Sequence, residues 1–338
     1  MPIATSENQL KVIKERETYS QGKLSELRCK LKKLDETKKF DGLSIIGAGS
    51  FARLEASPYS DIDMFFFSEK NVEDLEEPRT KKLRLFGKMI QIVEDLNFPK
   101  FSRDCEFLQI LSIDEMLKNL GSPSDDHENY FTARMLLLLE SKWLFGETAY
   151  DLLIEKVVDN YFKDKKDHEE DFRPTFLLND ICRYWKTILL NYENRRDAKG
   201  EITEFKKTKR KVQNYKLKYS RMTTCFATVC AIGSLPPPVT RDQIIELIKM
   251  TPRERLQMIP EKLKNTQKLV DELIEMYSDF LRMTGLPESE LHEKFENLEK
   301  TTSLFEKANK FGDLMFELLK EIDKKSPPNN KLVRHLVI

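Results

Sequence analysis

At 338 residues the chain is longer than one simple hydrophobic core accommodates, so two or three domains are expected. Its 57 basic residues balance 57 acidic ones, which removes any global electrostatic reason for nucleic-acid binding and leaves only local basic patches. Five scattered cysteines without CxxC spacing argue against a disulfide framework, and with no apolar leader and no stretch of membrane-span length the expectation is a cytoplasmic protein without membrane partners.

Residues 8–38 are highly charged, and Leu10, Val12, Ile13, Leu24, Leu27 and Leu31 recur at roughly helical spacing. This predicts one or two amphipathic helices before Gly42. The next segment is the most informative in the chain. An apolar run over 43–47 ends in Gly47, Gly49 and Ser50, a helix-compatible piece follows over Phe51–Ala56, and Ser57-Pro58-Tyr59-Ser60 makes a turn. Asp61 and Asp63 then open a second apolar run reaching Phe67. Carboxylates at i and i+2 of a strand point to the same side. Acids are usually kept apart there, and a divalent cation would compensate their repulsion. A glycine-serine turn ahead of a helix offers backbone N–H groups to a phosphate. Together they suggest chemistry on a nucleoside triphosphate. A bare Asp-x-Asp is common and fits a strand-capping turn equally well, but the Gly-x-Gly-Ser ending 11 residues before Asp61 favours the functional reading.

Lys81–Leu96 has the 3.6-residue period of a helix, and Cys105–Ile113 reads as a third strand, with Asp114 beginning another helix. Metal-assisted nucleotidyl transfer uses acidic ligands around two cations. Glu106 and Asp104, at the start of that strand, are the candidates for a third acid. Glu106 shares a face with Leu108 and Ile110 and ranks slightly ahead.

From about residue 128 the pattern is helical nearly throughout: Phe131–Phe145, Ala149–Phe162, Phe176–Tyr192, Lys211–Ile232, Arg241–Leu247, Leu263–Met283, Glu288–Leu298 and Leu304–Ile322. Gly233-Ser-Leu-Pro-Pro-Pro238 is the clearest break, and the apolar C-terminal end is expected to pack onto the helices. Asp180, Arg183 and Tyr184 are neighbours on one helix face and read as a structural tie. The segment from Lys206 to Arg221 carries eight basic residues and no acid, with Lys211, Lys218 and Arg221 at helical spacing. Triphosphate contact and a solvated basic face are equally good readings, with a nucleic-acid surface behind them. The four histidines are far apart, which argues against zinc.

Gly49-Ser50-Phe51-Ala52-Arg53-Leu54-Glu55 followed by Pro58-Tyr59-Ser60-Asp61-Ile62-Asp63 resembles the polymerase-β-like nucleotidyltransferase superfamily, and most of all its branch containing the uridylyltransferase of the PII protein. Ala52 stands where that branch usually has glycine. Ser112–Glu115 and Ala133–Glu147, ending in Leu144-Phe145-Gly146, look like its continuation, so the likeness covers about a hundred residues. Asn214-Tyr-Lys216-Leu-Lys218 is similar to its basic segment, although the glycine-rich sequence usual there is missing.

The resemblance implies an α+β protein: N-terminal helices over 1–40, a nucleotidyltransferase domain with a short mixed sheet over 41–160, and a helical substrate or partner domain over 161–338. It implies transfer of an NMP from an NTP such as ATP to an acceptor hydroxyl, with Mg²⁺, two ions, or Mn²⁺ instead. Gly49, Ser50, Arg53 and Ser60, with Lys211, Lys218 and Arg221, would bind the nucleotide. Asp61 and Asp63, joined by Glu106 or Asp104, would be catalytic, with Asp61, Asp63 and Glu106 as metal ligands. The acceptor would be a protein side chain; the rivals are a second nucleotide, giving a cyclic or linear signal, and an RNA 3′ end. A non-catalytic nucleotide sensor is the alternative from another class.

Overall fold

The computed structural model describes residues 7–101, 105, 108–197 and 203–337. The protein is α+β, with a four-stranded mixed sheet in its first half and a large helical second half. The chain forms two compact units. One spans Lys14–Lys163, and the other takes in residues up to Ile13 and from Asp164 onward. Residues 14–40 lie within the sheet-bearing unit.

Strand β1 (Ser44–Ala48) is buried along its whole length, because it lies between two partners. It pairs antiparallel with β2 (Asp63–Ser68) and with β4 (Ser141–Phe145), while β3 (Ile110–Ser112) adds to β2 in parallel, giving the order β3-β2-β1-β4. On one face Ile45, Met64, Phe66 and Leu144 share a core with Leu24, Leu27 and Leu31 of α1 (Glu7–Lys32) and with Leu85, Met89 and Val93 of α3 (Pro78–Asp95). Burying each such side chain contributes roughly 1.5–3 kcal/mol. Between these elements lie α2 (Gly49–Ala52), α4 (Ile113–Lys118) and α5 (Pro123–His127). Helices α6 (Tyr130–Leu139) and α7 (Glu147–Asn160) pack on β1 and β4.

Three expectations need correction. The apolar period predicts one helix over Phe131–Phe145, but α6 stops at Leu139. Glu140 leaves the helical conformation at φ −154°, and Ser141–Phe145 pairs with β1 instead. Ladder bonds to β1 at the sheet edge override the local helical pattern. Gly146 completes the exit at φ +73°, where a Cβ would stand 2.3 Å from the Leu43 carbonyl oxygen. The predicted strand over Cys105–Ile113 is confined to Ile110–Ser112 among the described residues, and Cys105 has φ +66°. The helix expected over Phe51–Ala56 ends at Ala52.

In the helical unit, α8 (Thr175–Asp197) is followed by α9 (Glu204–Lys216). One π turn (Leu217–Arg221) joins α9 to α10 (Met222–Ser234) without a break. Helix α10 is buried nearly all round, as a central helix is. Around it are α11 (Arg241–Lys249), α12 (Pro252–Lys262), α13 (Gln267–Thr284), α14 (Glu288–Glu296), α15 (Leu298–Lys325) and α16 (Leu332–Val337). Leu332 of α16 is fully buried and lies so close to Gly233 that a Cβ there would come within 2.3 Å of it. Asp180 and Arg183 are 3.7 Å apart on α8, and Tyr184 is buried beside them.

Buried arginines tie the elements together. Arg134 and Asp125 are both fully buried and meet in a two-pronged pair at 2.7 Å, with the Arg134 Nε donating to Tyr161 at 2.8 Å. In the helical unit Arg255 donates to the Leu247 and Ile248 carbonyls and to Thr228, which closes the C-terminal end of α11. Removing one partner of a buried pair strands the other charge. Asp125→Ala is expected to destabilise the protein by about 3–5 kcal/mol in urea unfolding, against less than about 1 kcal/mol for removal of the exposed Glu193 beside Arg196.

Candidate functional site

The register of β1 against β2 sets Ala48 opposite Asp63, so Gly49 follows at the mouth of the sheet beside that carboxylate. Gly49 takes φ +68°, and a Cβ built on it would lie 2.8 Å from Asp63 Oδ2. Glycine meets both demands, a left-handed backbone and close approach of an acid. The chain then enters α2, whose first N–H groups have no preceding helical carbonyl to bond. Ser50 is half-buried at this start, while Phe51 behind it is fully buried and packs edge-on to Phe98 at 5.2 Å.

Arg53 does not stand open at the turn. It is 6 % exposed, and its Nε donates to Glu55 at 2.8 Å while a terminal nitrogen donates to Glu140. This knot fastens the end of α2 to the junction of α6 and β4. Glu140 precedes Ser141, which pairs with Ala48 on the side away from Asp63. The turn is tight enough to hold Leu54 at φ +60°, a conformation costing about 1–2 kcal/mol for such a residue. Glu55 was visible in the motif two residues after Arg53, but nothing in the sequence points to Glu140, 87 residues from Arg53.

The loop to β2 is also fixed. Ala56 N–H donates to Ser20 of α1 at 3.0 Å, and Ser60 Oγ accepts from Ser57 N–H at 3.0 Å while Ser60 N–H donates to the Ser57 carbonyl at 2.9 Å. Asp61 follows this turn directly. Ile62 and Met64 are buried, whereas Asp61 and Asp63 are half-buried, the alternation expected if both acids face the same side. A crevice beside Asp63 is lined by Phe65, Phe101, Cys105 and Leu108. Asp104 and Glu106, the expected third acids, lie outside the described residues.

Two carboxylates at the strand mouth are hard oxygen donors of the kind Mg²⁺ prefers, and Gly49 keeps the space above Asp63 clear of a Cβ, so the residues present fit such an ion. Among the described residues no group of three or more potential ligands occurs. Lys211, Lys218 and Arg221 belong to the helical unit. There Lys211 donates to the Phe295 carbonyl at 3.1 Å and Lys218 to Asn309 at 2.9 Å.

Comparison with known proteins bears on this geometry. Residues 24–106 match the family model described as a nucleotidyltransferase domain, a stretch that runs from α1 through the Gly49 turn and both aspartates. No curated protein and no solved structure matches the chain. The match supports a transferase of nucleotidyl groups in general.

The closeness of Gly49 to Asp63 gives a measurable coupling. Gly49→Ala is expected to cost about 1–2 kcal/mol from its backbone conformation, plus the displacement of the Asp63 carboxylate. In an Asp63→Ala background only the first part remains, so a double-mutant cycle by chemical denaturation should return a coupling of about 0.5 kcal/mol or more.

Proposed function

We propose that the chain moves an NMP from an NTP to an acceptor hydroxyl, with release of pyrophosphate, at the site built from the Gly49 turn and the Asp61–Asp63 pair. The observation that carries this reading is the Asp63 carboxylate held against Gly49 at the start of α2, which sets oxygens able to bind a cation beside N–H groups able to bind a phosphate.

The N–H groups at Gly49 and Ser50 would grip the β- and γ-phosphate oxygens, and the Ser60 turn would border the same triphosphate. Asp61 and Asp63 would hold Mg²⁺, two ions with Glu106 or Asp104 as further ligand, or Mn²⁺ in its place. Bound there, Mg²⁺ would neutralise charge on the triphosphate and acidify the acceptor hydroxyl. The acceptor oxygen forms a bond to the α-phosphorus, the bond from that phosphorus to the β-bridging oxygen breaks, and pyrophosphate departs with its electron pair. Glu106 or Asp104 would receive the hydroxyl proton. Arg53 acts through the knot with Glu55 and Glu140, keeping the turn and the aspartates in register. Catalysis on this plan is chiefly positioning and charge stabilisation.

The acceptor is read as a protein side chain, following the resemblance to the PII-protein uridylyltransferase, and the nucleotide as ATP or another NTP.

The Asp61→Ala/Asp63→Ala double variant should keep its circular-dichroism spectrum while losing incorporation of α-labelled NTP and release of pyrophosphate by about 10³-fold or more. Undiminished turnover would overturn the assignment. Mass spectrometry of products after incubation with mixed NTPs separates the acceptors: a modified protein, a small soluble nucleotide or a lengthened RNA.

A further inference from the structure

The helical unit contains a cavity of about 370 Å³, within the range of small-molecule pockets, that the proposed reaction does not use. Its floor is the pair Tyr215 and Tyr219, each about 97–98 % buried, where α9 passes into the π turn. Such turns place an extra residue in a helix and often accompany ligand sites. The two rings are 5.0 Å apart, and Tyr219 stacks on Phe280 at 5.0 Å with only 14° between the planes, so the floor is rigid. The hydroxyls are hydrogen-bonded to each other. One proton suffices for that bond, and the second can be given to another acceptor. Burial pushes the Tyr219 hydroxyl up to about 12, so it remains a neutral donor.

The walls are apolar, from Met276, Met283, Leu286 and Leu304. The rim carries Arg282, Lys294 and Lys307 against a single carboxylate, Asp279, and that carboxylate already accepts from Arg282 at 2.7 Å. The surplus charge facing the cavity is therefore positive. An uncharged apolar guest would leave these cations and the tyrosine proton unused, and an inorganic anion would leave the apolar walls wet.

We propose that this cavity is a second ligand site, separate from the Asp61–Asp63 site, that takes a small organic anion with an aromatic or aliphatic body. The body lies among the methionines and leucines, and the anionic head meets Lys294, Lys307 and the Tyr219 hydroxyl. A nucleoside monophosphate and an aromatic carboxylate share this chemistry.

The probe is 1-anilinonaphthalene-8-sulfonate, titrated by fluorescence into the full-length protein. Saturable binding at one site is expected, weakened roughly 10-fold or more in Lys294→Ala/Lys307→Ala. It should be abolished by Leu304→Trp, which fills the cavity, and unchanged in Asp61→Ala/Asp63→Ala. The uncharged N-phenyl-1-naphthylamine should bind roughly 10-fold more weakly. Displacement of the dye by adenosine monophosphate or by salicylate identifies which source of the anion fits. Equal binding by the lysine double variant, or failure of both competitors to displace the dye, overturns the proposal.

Discussion

The register between β1 and β2 is the constraint on which the first unit depends. Ala48 faces Asp63 across the ladder, and every other relation at the site follows from that rung. A slip of one residue would turn Met64 and Phe66 out of the core and swing Asp63 to the packed face. The core on one side and the acid on the other are thus two readings of a single alignment. The large apolar term that fixes the strand also fixes the carboxylate, without a dedicated interaction for the acid itself.

Charge is used in a second way, as internal bracing. The Arg53 knot joins the α2 turn to the α6–β4 junction, Arg134 joins α5, α6 and α7, and Arg255 closes α11. Buried pairs of this kind add little net stability over apolar replacements, because desolvation offsets their attraction. What they supply here is exclusivity, since each guanidinium fork is satisfied in one arrangement of its neighbours. The Arg53 knot meets the same rung, because Ser141 beside Glu140 pairs with Ala48.

Much of this was legible in the sequence where local pattern and tertiary role agree. Strands β1 and β2, the glycine turn, the two aspartates and most helices follow from periodicity and turn chemistry. Strand β4 was not legible, since Ser141–Phe145 continues an apolar helical run and becomes a strand through a partner nearly a hundred residues earlier. Arg53 looked like a ligand-facing cation for a related reason: its partner Glu140 is remote in sequence. Helix α12 did carry a local signal that the apolar period overlooks. Thr251 and Glu254 cap each other reciprocally and Pro252 fills the first turn, all readable from Thr-Pro-Arg-Glu. Lys211 and Lys218 illustrate the opposite limit, because a run of basic residues gives no indication which carbonyl or amide each will reach.

The π turn at Leu217–Arg221 also shapes how this helix can change over evolutionary time. It holds one residue beyond what a regular helix would need, and the wider turn takes that residue up, so that α9 and α10 keep the phase of one continuous helix. A single-residue deletion there would restore uniform winding and leave the lysine-rich side of α9 aimed as it is, with α10, apolar nearly all round, in its place. One codon lost at this joint would thus alter the spacing of Tyr215 and Tyr219 without re-aiming either helix.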